Sequence, residues 1–266
     1  MRRDSSPDFI EAIARGLDVI RCFNAARPAM SLSEVAVASA LPRPTARRIL
    51  ITLEQLGYVR SGTHGFMLTP QVVELGMAYI GSINIWEIVR PNLEHLVQQT
   101  NESSSIALLD GSDIVYVARV AVPKLVTLSV TIGTRFPALS TSLGKVLLAA
   151  LAPDELDATL ALPTRSGLEA RWQPDRPEID AALQGVRERG WAMTDEQLAR
   201  GIRSIATSIR DADGHTVAAV NVNANSAETS LQTLTDHHLP LLTQAADAIS
   251  QDWIAWHSRP LLTLGA

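Results

Sequence analysis

The sequence predicts a two-domain α+β fold. A short helical module carrying a small hairpin stands in front, and a larger module built on a mainly antiparallel sheet follows. Three observations predict it. The chain has 266 residues, more than a single domain of about 100–200 residues usually holds. Near Ser104 the apolar residues change from the three-to-four spacing of helices to the alternation of strands. The charge also changes sign along the chain. Residues 1–60 hold 9 basic and 6 acidic residues, and residues 61–266 hold 14 and 22, so the net charge of −5 averages a basic front with an acidic body.

Composition narrows the class. Hydrophobic residues make up 46% and charged residues 19%, an ordinary globular balance rather than a disordered or coiled-coil one. Cys22 is alone, which excludes an intrachain disulfide and a cysteine zinc site. There is no apolar run of about 18 residues to span a membrane. Residues 1–7 lack the apolar stretch of a signal peptide, so a cytoplasmic protein is expected. Of the 23 basic residues only Lys124 and Lys145 are lysine.

In the front module, Ile10, Ile13, Leu17 and Ile20 fall at spacings of three and four, one face of an amphipathic helix over 9–23. Arg27-Pro28 ends it. Ser31-Leu32-Ser33-Glu34 reads as a capping box opening a short helix with Leu32, Val35 and Ala36 inside, and Ser39-Ala40-Leu41 is a tight connection. The next helix starts near 42–45, where proline is tolerated because a first-turn N–H has no partner. Ala46, Ile49, Leu50 and Leu53 form its buried stripe; Arg43, Arg47, Arg48 and Thr52 lie opposite. Gly57 ends it, and 58–68 reads as a hairpin with His64 at its tip. This order describes a winged helix-turn-helix. A helix about 10–12 Å across fits a major groove roughly 12 Å wide, where exposed Arg and Thr side chains meet base edges and phosphates. The residues placed at such a surface are Ser31, Arg43, Thr45, Arg47, Arg48, Thr52, Arg60 and His64. His64 is equally a plain turn residue.

Three blocks carry a family resemblance. Residues 14–20 (ARGLDVI), 31–36 (SLSEVA) and 45–59 (TARRILITLEQLGYV) resemble the N-terminal domain of the isocitrate lyase regulator (IclR) family. Residues 142–149 (SLGKVLLA), 189–192 (RGWA) and 201–206 (GIRSIA) are similar to that family's effector domain. The resemblance spans about residues 9–256 and looks closest to regulators of protocatechuate, 4-hydroxybenzoate and β-ketoadipate catabolism. One departure is Pro44, where relatives commonly carry a small capping hydroxyl; it leaves open where the helix starts and whether that position contacts a base. The resemblance implies a DNA-binding domain at 8–70, a linker helix at 71–84 and a GAF-like effector-binding and oligomerisation domain at 85–257. It also implies a double-stranded operator and a small organic acid effector as partners. A dimer or tetramer follows as well, since two recognition helices read a palindromic site.

Behind the front module, 71–77 continues as helix and Gly81-Ser82 interrupts it. Residues 85–100 place Ile85, Val89, Leu93, Leu96 and Val97 at helical spacing; Tyr79 and Trp86 are large groups near the junction. Residues 106–118 form a hairpin about Asp110-Gly111, and 125–130 read as another strand. Helices follow at 142–151, from Pro153, and at 179–189. Strands return at 191–193, 204–210 and 217–223, and a long helix over 234–256 closes the domain. Strands and helices without regular alternation indicate α+β.

No catalytic constellation is present. There is no G-x-S-x-G, P-loop or H-E-x-x-H, the six histidines are scattered, and the adjacent His237 and His238 point different ways on a helix. No enzyme activity, cofactor or metal is expected. Ser140-Thr141-Ser142 lies where a loop becomes a helix, an arrangement whose free N–H groups suit a carboxylate and which equally serves as a plain helix cap. Carried over by resemblance, the pocket includes Leu125, Leu128, Ser142, Leu143, Thr194, Ile202 and Ser204, with Asp195 and Arg203 flanking it. Arg203 either neutralises an acidic effector or pairs with Asp195. An apolar wall with a few polar anchors suits a small aromatic acid or dicarboxylate. The competing readings are a regulator of another oxo-acid or sugar-acid pathway, and an enzyme or sensor with a helical interaction domain in front.

Overall fold

A computed structural model describes residues 8–24, 26–76, 85–123 and 130–258, leaving aside the side chains of Ile85, Trp86 and Ile88. The chain divides into two compact units, the first ending at Ile83 and the second beginning at Asn84. The expected interruption at Gly81-Ser82, Tyr79, the Trp86 side chain, most of the strand expected at 125–130, and the pocket residues Leu125 and Leu128 lie outside the described residues.

The first unit contains α1 (Glu11–Arg21), β1 (Ala29–Met30), α2 (Leu32–Ala38), α3 (Arg43–Gln55), β2 (Val59–Gly62) and β3 (Gly65–Leu68). A short helical segment follows at 72–76. Helix α1 turns most of its apolar stripe away from the core of this unit. Ile10 and Ile13 are 62% and 60% exposed, and Leu17 is exposed too, whereas Val19, Cys22 and Phe23 are buried. The core of the unit gathers around the C-terminal end of α1, with Val35, Ala46, Leu50 and Leu53. A periodic stripe shows that one face is apolar; it does not say which neighbour covers it. Along α1 the stripe instead borders an apolar groove with Leu56 and Leu75.

Ser31 caps α2 as expected. Its hydroxyl accepts the Glu34 N–H at 3.3 Å, and the Glu34 carboxylate accepts the Ser31 N–H at 2.7 Å. The connection to α3 turns at Ala40 (φ 53°), and the Leu41 N–H reaches back to the Ala36 carbonyl at 2.9 Å. The small sheet has the order β1-β3-β2. Strand β1 was not expected, because two residues are too few to show a period. It explains Gly65, which has φ 107° and where a β-carbon would collide with the Met30 carbonyl.

The second unit is an antiparallel sheet of six strands, in the order β6-β5-β4-β9-β8-β7. The strands are β4 (Ser103–Asp110), β5 (Asp113–Val120), β6 (Arg135–Pro137), β7 (Trp191–Asp195), β8 (Ile202–Arg210) and β9 (Thr216–Asn225). Helix α4 (Ile85–Thr100) and the final helix α8 (Leu239–His257) pack against each other and the sheet. Helices α5 (Ser142–Ala149) and α7 (Arg176–Arg189) pack together, and α5 lies on strands β4, β7, β8 and β9; α6 (Pro153–Leu160) links them in sequence. Every residue of α5 is buried, Lys145 included. Fully burying one of its leucines stabilises by roughly 1.5–3 kcal/mol. Gly144 lets a 3-10 turn (Ala138–Ser140) lie against α5, since a β-carbon there would meet the Ala138 backbone.

The expected helix over 234–256 forms, with one irregularity. Leu234–His238 is a π turn that runs without interruption into α8 at Leu239, with Pro240 in the first turn of α8. Proline has no N–H to continue the ladder of the preceding turn. Strand β6, three residues long, was also not expected.

Candidate nucleic-acid interface and ligand pocket

Helix α3 begins at Arg43, with Pro42 at the cap position and Pro44 in the first turn. Pro44 therefore occupies a place where its missing N–H breaks no helical bond. Ala46, Leu50 and Leu53 are buried and Ile49 packs beside them, so Arg43, Arg47, Arg48 and Thr52 are exposed. None of the three guanidinium groups has a hydrogen-bond or ionic partner among the described residues. Three exposed, uncompensated positive charges along one helix match a polyanion, since released counterions drive such binding.

The other expected contact residues fall around this helix. Thr45 is half-buried on the side turned to α1. The Thr52 hydroxyl donates to the Arg48 carbonyl at 2.9 Å, and the Ser31 hydroxyl is occupied by the capping box. Arg60 is exposed on β2, with its guanidinium 3.8 Å from the Met67 sulfur. His64 stands exposed in a two-residue turn, because the strands run on to Gly62 and Gly65. One contributor was not anticipated: the Glu54 carboxylate accepts the N–H of Ser61 at 2.8 Å and its hydroxyl at 2.5 Å. These bonds hold the Glu54 carboxyl below the usual carboxylate range and fix the wing to the C-terminal turn of α3.

In the second unit, a pocket forms where α5 begins above the sheet. Tyr116, Val130, Phe136, Ser140, Thr141, Ser142, Thr194, Leu198, Ile202, Ser204, Asn221 and Asn223 line it. The free space among them is about 20 Å³, room for one water-sized sphere. A chain of hydrogen bonds runs through its floor. Ser142 Oγ and Ser204 Oγ lie 2.6 Å apart, Asn221 Nδ2 donates to Ser204 Oγ at 3.0 Å, and Asn221 Oδ1 accepts the Ser105 N–H at 3.1 Å. Thr141 caps α5 by accepting the Gly144 N–H at 2.9 Å, leaving the Ser142 and Leu143 N–H groups without intrahelical partners, as at any helix start. The Tyr116 ring meets Phe136 edge-on at 5.8 Å. Burial pushes the Tyr116 hydroxyl up to about 12, against the pull of Arg119, and that hydroxyl has no hydrogen-bond partner among the described residues.

Lys145 lies one turn along α5. Its ammonium donates to Gln197 Oε1 at 2.5 Å and sits 4.1 Å above the centre of the Trp172 ring. Burial, assisted by the positive charge of Arg189, pushes it down to about 8.

Of the expected pocket residues, the structure gathers Ser140, Ser142, Thr194, Ile202 and Ser204 at the cavity. Leu143 is fully buried in the main core instead. Asp195 and Arg203 are corrected away from the pocket. Thr194 pairs with Ser204, and the next pair, Asp195 with Arg203, points to the opposite face because strand side chains alternate. There Arg203 binds Asp195 Oδ1 at 2.5 Å and the carbonyls of Ser226 and Thr229 at 3.1 and 3.0 Å. Of the two roles left open for Arg203, the pairing is what the structure contains. Tyr116, Phe136, Leu198, Asn221 and Asn223 were missed. The available signal for the asparagines was a polar residue at every second position within the otherwise apolar β9.

Among the described residues, one group has metal-ligating types close together: Asp211, Asp213 and His215 in the β8–β9 turn. Asp211 Oδ1 accepts the N–H groups of Asp213 and His215 at 3.0 and 2.9 Å, which accounts for this carboxylate as a turn closer.

Comparison with known proteins agrees with both halves. Residues 12–62 match the IclR helix-turn-helix domain and residues 77–251 the C-terminal domain of bacterial IclR transcriptional regulators. The chain is 35% identical to the Pca regulon regulatory protein of Pseudomonas putida over 241 residues, covering 90% of this chain and 83% of that one. It is 32% identical to the p-hydroxybenzoate hydroxylase transcriptional activator of Acinetobacter baylyi, covering 91% of each. A crystal structure from Rhodococcus sp. RHA1, described as a candidate transcriptional regulator, superposes with a TM-score of 0.78 at 47% identity, covering 92% of this chain and 98% of that one. An IclR homologue from Microbacterium hydrocarbonoxydans, solved with 4-hydroxybenzoate, gives 0.77 at 23% identity over 91% and 98% of the two chains, a likeness of fold.

Proposed function

Because the chain belongs to the IclR family of transcriptional regulators, we propose that it binds an operator through α3 and the β2–β3 wing. We also propose that its second unit takes a small carboxylated catabolite of the protocatechuate, 4-hydroxybenzoate or β-ketoadipate type. The observation that carries the DNA half is the exposed Arg43, Arg47 and Arg48 set, unpartnered among the described residues and opposite a buried stripe. The effector class rests on the names of the relatives, a Pca regulon regulator and a p-hydroxybenzoate hydroxylase activator. A pocket with hydroxyl and amide groups beside an aromatic pair supports it.

Residues 8–70 serve as the DNA-binding domain, 71–84 as the linker and 85–257 as the effector and oligomerisation domain. The chain works as a dimer or tetramer, so that two copies of α3 meet successive major grooves. No described helix is long and apolar enough to cross a membrane, and a regulator of this kind works in the cytoplasm. The relatives are regulators, and no enzymatic step is assigned to this chain.

The effector acts only if it binds one arrangement of the regulator better than the other. A space of about 20 Å³ does not admit a benzenoid acid, so binding selects an arrangement in which the pocket is wider.

Operator binding by wild type and by Arg47→Ala/Arg48→Ala, measured against salt, tests the DNA half. Each phosphate contact removed lowers the slope of log K against log salt by about 0.9. Selective wild-type binding with a shallower slope in the variant supports the reading; no salt-dependent, sequence-selective binding by wild type ends it. For the effector, a ligand that prefers the folded state raises the melting temperature. The assay uses 4-hydroxybenzoate, protocatechuate and β-ketoadipate, and no shift from any of them ends the aromatic-catabolism reading.

A further inference from the structure

We propose that Arg119 is the cation that receives the carboxylate of the effector. This rests on the small-acid reading above and names the group that carries it out.

Arg119 is the next-to-last residue of β5, and a β-bulge decides where it points. Across the β4–β5 ladder Ala107 pairs with Tyr116, but Ile106 pairs with Ala118 and Ser105 with Arg119. Val117 is the extra residue. Without it, Tyr116, Ala118 and Val120 would share a face and Arg119 would point away from Tyr116. With it, Arg119 stands opposite Ser105 and on the same face as Ala107 and Tyr116, the face that α5 covers. Bulges re-aim side chains in this way and are frequent beside functional sites.

The contacts agree with the register. Arg119 Nη1 donates to Ser105 Oγ at 2.9 Å, and the Ser105 N–H binds the Asn221 side chain, which lines the cavity and reaches Ser204. Arg119 is not itself a lining residue; through Ser105 and Asn221 it extends the polar chain that begins at Ser142. It is half-buried, and it has no carboxylate partner among the described residues. Residues 124–129, which follow shortly after β5, contain no acidic side chain to supply one. A guanidinium withdrawn from water without a counter-charge is costly to keep, and it presents a fork that fits a carboxylate in two places. The Tyr116 hydroxyl, without a hydrogen-bond partner, lies on the same face. Together they offer an anion two kinds of donor beside an aromatic wall. Arg203, the other arginine considered for this task, is already neutralised on the opposite face.

The test compares acids with their neutral amides by isothermal titration of wild type, Arg119→Gln and Arg119→Lys. The pairs are 4-hydroxybenzoate with 4-hydroxybenzamide, and β-ketoadipate with its diamide. Wild type is expected to prefer the acid by about tenfold or more, the equivalent of one charge-assisted hydrogen bond. Arg119→Gln, which still reaches Ser105, loses that preference, and Arg119→Lys keeps part of it. An unchanged acid-to-amide ratio in a folded Arg119→Gln variant overturns the assignment while leaving the effector reading intact. Loss of preference with β-ketoadipate as the only acid bound upholds Arg119 and removes the aromatic skeleton. If wild type binds no acid in either pair, both proposals fall. Should Arg119→Gln not fold, Arg119→Lys with wild-type affinity for acid and amide alike would also refute the role of the fork.

Discussion

Lys145 gives a prediction whose magnitude follows from its surroundings. It is only 5% exposed, and its partners are a neutral amide and a ring face, neither of which replaces water fully. Burial lowers it from 10.5 to about 8. The folded-state value lies below the unfolded one, so between pH 8 and 10.5 the unfolded chain holds a proton that the folded chain has released. Stability therefore rises with pH across that window. The full effect is about 3 kcal/mol at 1.36 kcal/mol per unit, and most of it is recovered between pH 7 and 10. Lys145→Met removes the titration while filling similar space. Wild type should gain about 2–3 kcal/mol on the variant from pH 7 to 10, or roughly 5–10 °C in melting temperature for a domain of this size. Denaturant unfolding of both proteins at four pH values reads the gap. Tyr116 works in the opposite direction above pH 10, its folded-state value being raised to about 12, but it is common to both proteins and cancels. Parallel stability curves would show that the ammonium is hydrated in solution and refute the reasoning.

Three further outcomes follow from the same contacts. Ser204→Ala leaves the buried Asn221 amide and Ser142 hydroxyl without their shared partner, which should cost about 1–3 kcal/mol in urea unfolding; a loss under about 0.5 kcal/mol would mean the chain of bonds re-forms without it. Arg203→Ala should lower the melting temperature, since it frees Asp195 and two backbone carbonyls, yet leave effector affinity within about twofold; a large drop in affinity at unchanged stability would return Arg203 to the pocket. Glu54→Ala unties the wing from α3 and should weaken operator binding while leaving the circular dichroism of the free protein unchanged. Equal operator affinity would show that the wing is held by other means.

The front module was legible because its signals are local. A capping box declares itself within four residues, and α3 shows its buried stripe and its arginines in a single helical period. Helix α1 was legible only in part. Its apolar face was correctly seen, but burial depends on what lies across from it. The pocket was harder. Thr194 and Ser204 came through resemblance, yet Asp195 and Arg203, one residue away, fell on the wrong face, because a step of one along a strand reverses the side chain. Asn221 and Arg119 required knowledge that β4 sits between β5 and β9. The bulge at Val117 depends on pairing between strands, and hydrophobic alternation alone does not reveal it.

The closed pocket constrains how an effector can act. Leu198 and Ile202 form the wall beside the β7–β8 loop, and that loop is tied on several sides. Glu196 binds Arg171 at 3.1 Å and the Ser226 hydroxyl at 2.7 Å. Gln197 receives the Trp172 N–H at 3.0 Å and the Lys145 ammonium. If a benzenoid acid enters past Leu198 and Ile202, it has to separate the Ser142–Ser204 pair or shift this loop. In either case the work is done against several bonds that support one another, so the wall yields as a unit rather than side chain by side chain. A carboxylate suits the task because it only accepts hydrogen bonds, and the Arg119 guanidinium, the Ser142 and Ser204 hydroxyls and the Asn221 amide on this face can all donate. A neutral analogue of the same shape opens the same wall with less return. Changing a regulator from one part in a hundred active to almost wholly active takes about 5.5 kcal/mol of differential affinity, more than one charge-assisted bond provides. The response must therefore draw on the carboxylate, the aromatic contact with Tyr116 and Phe136, and the release of the loop together, and an analogue lacking any one of these should bind without switching the protein fully.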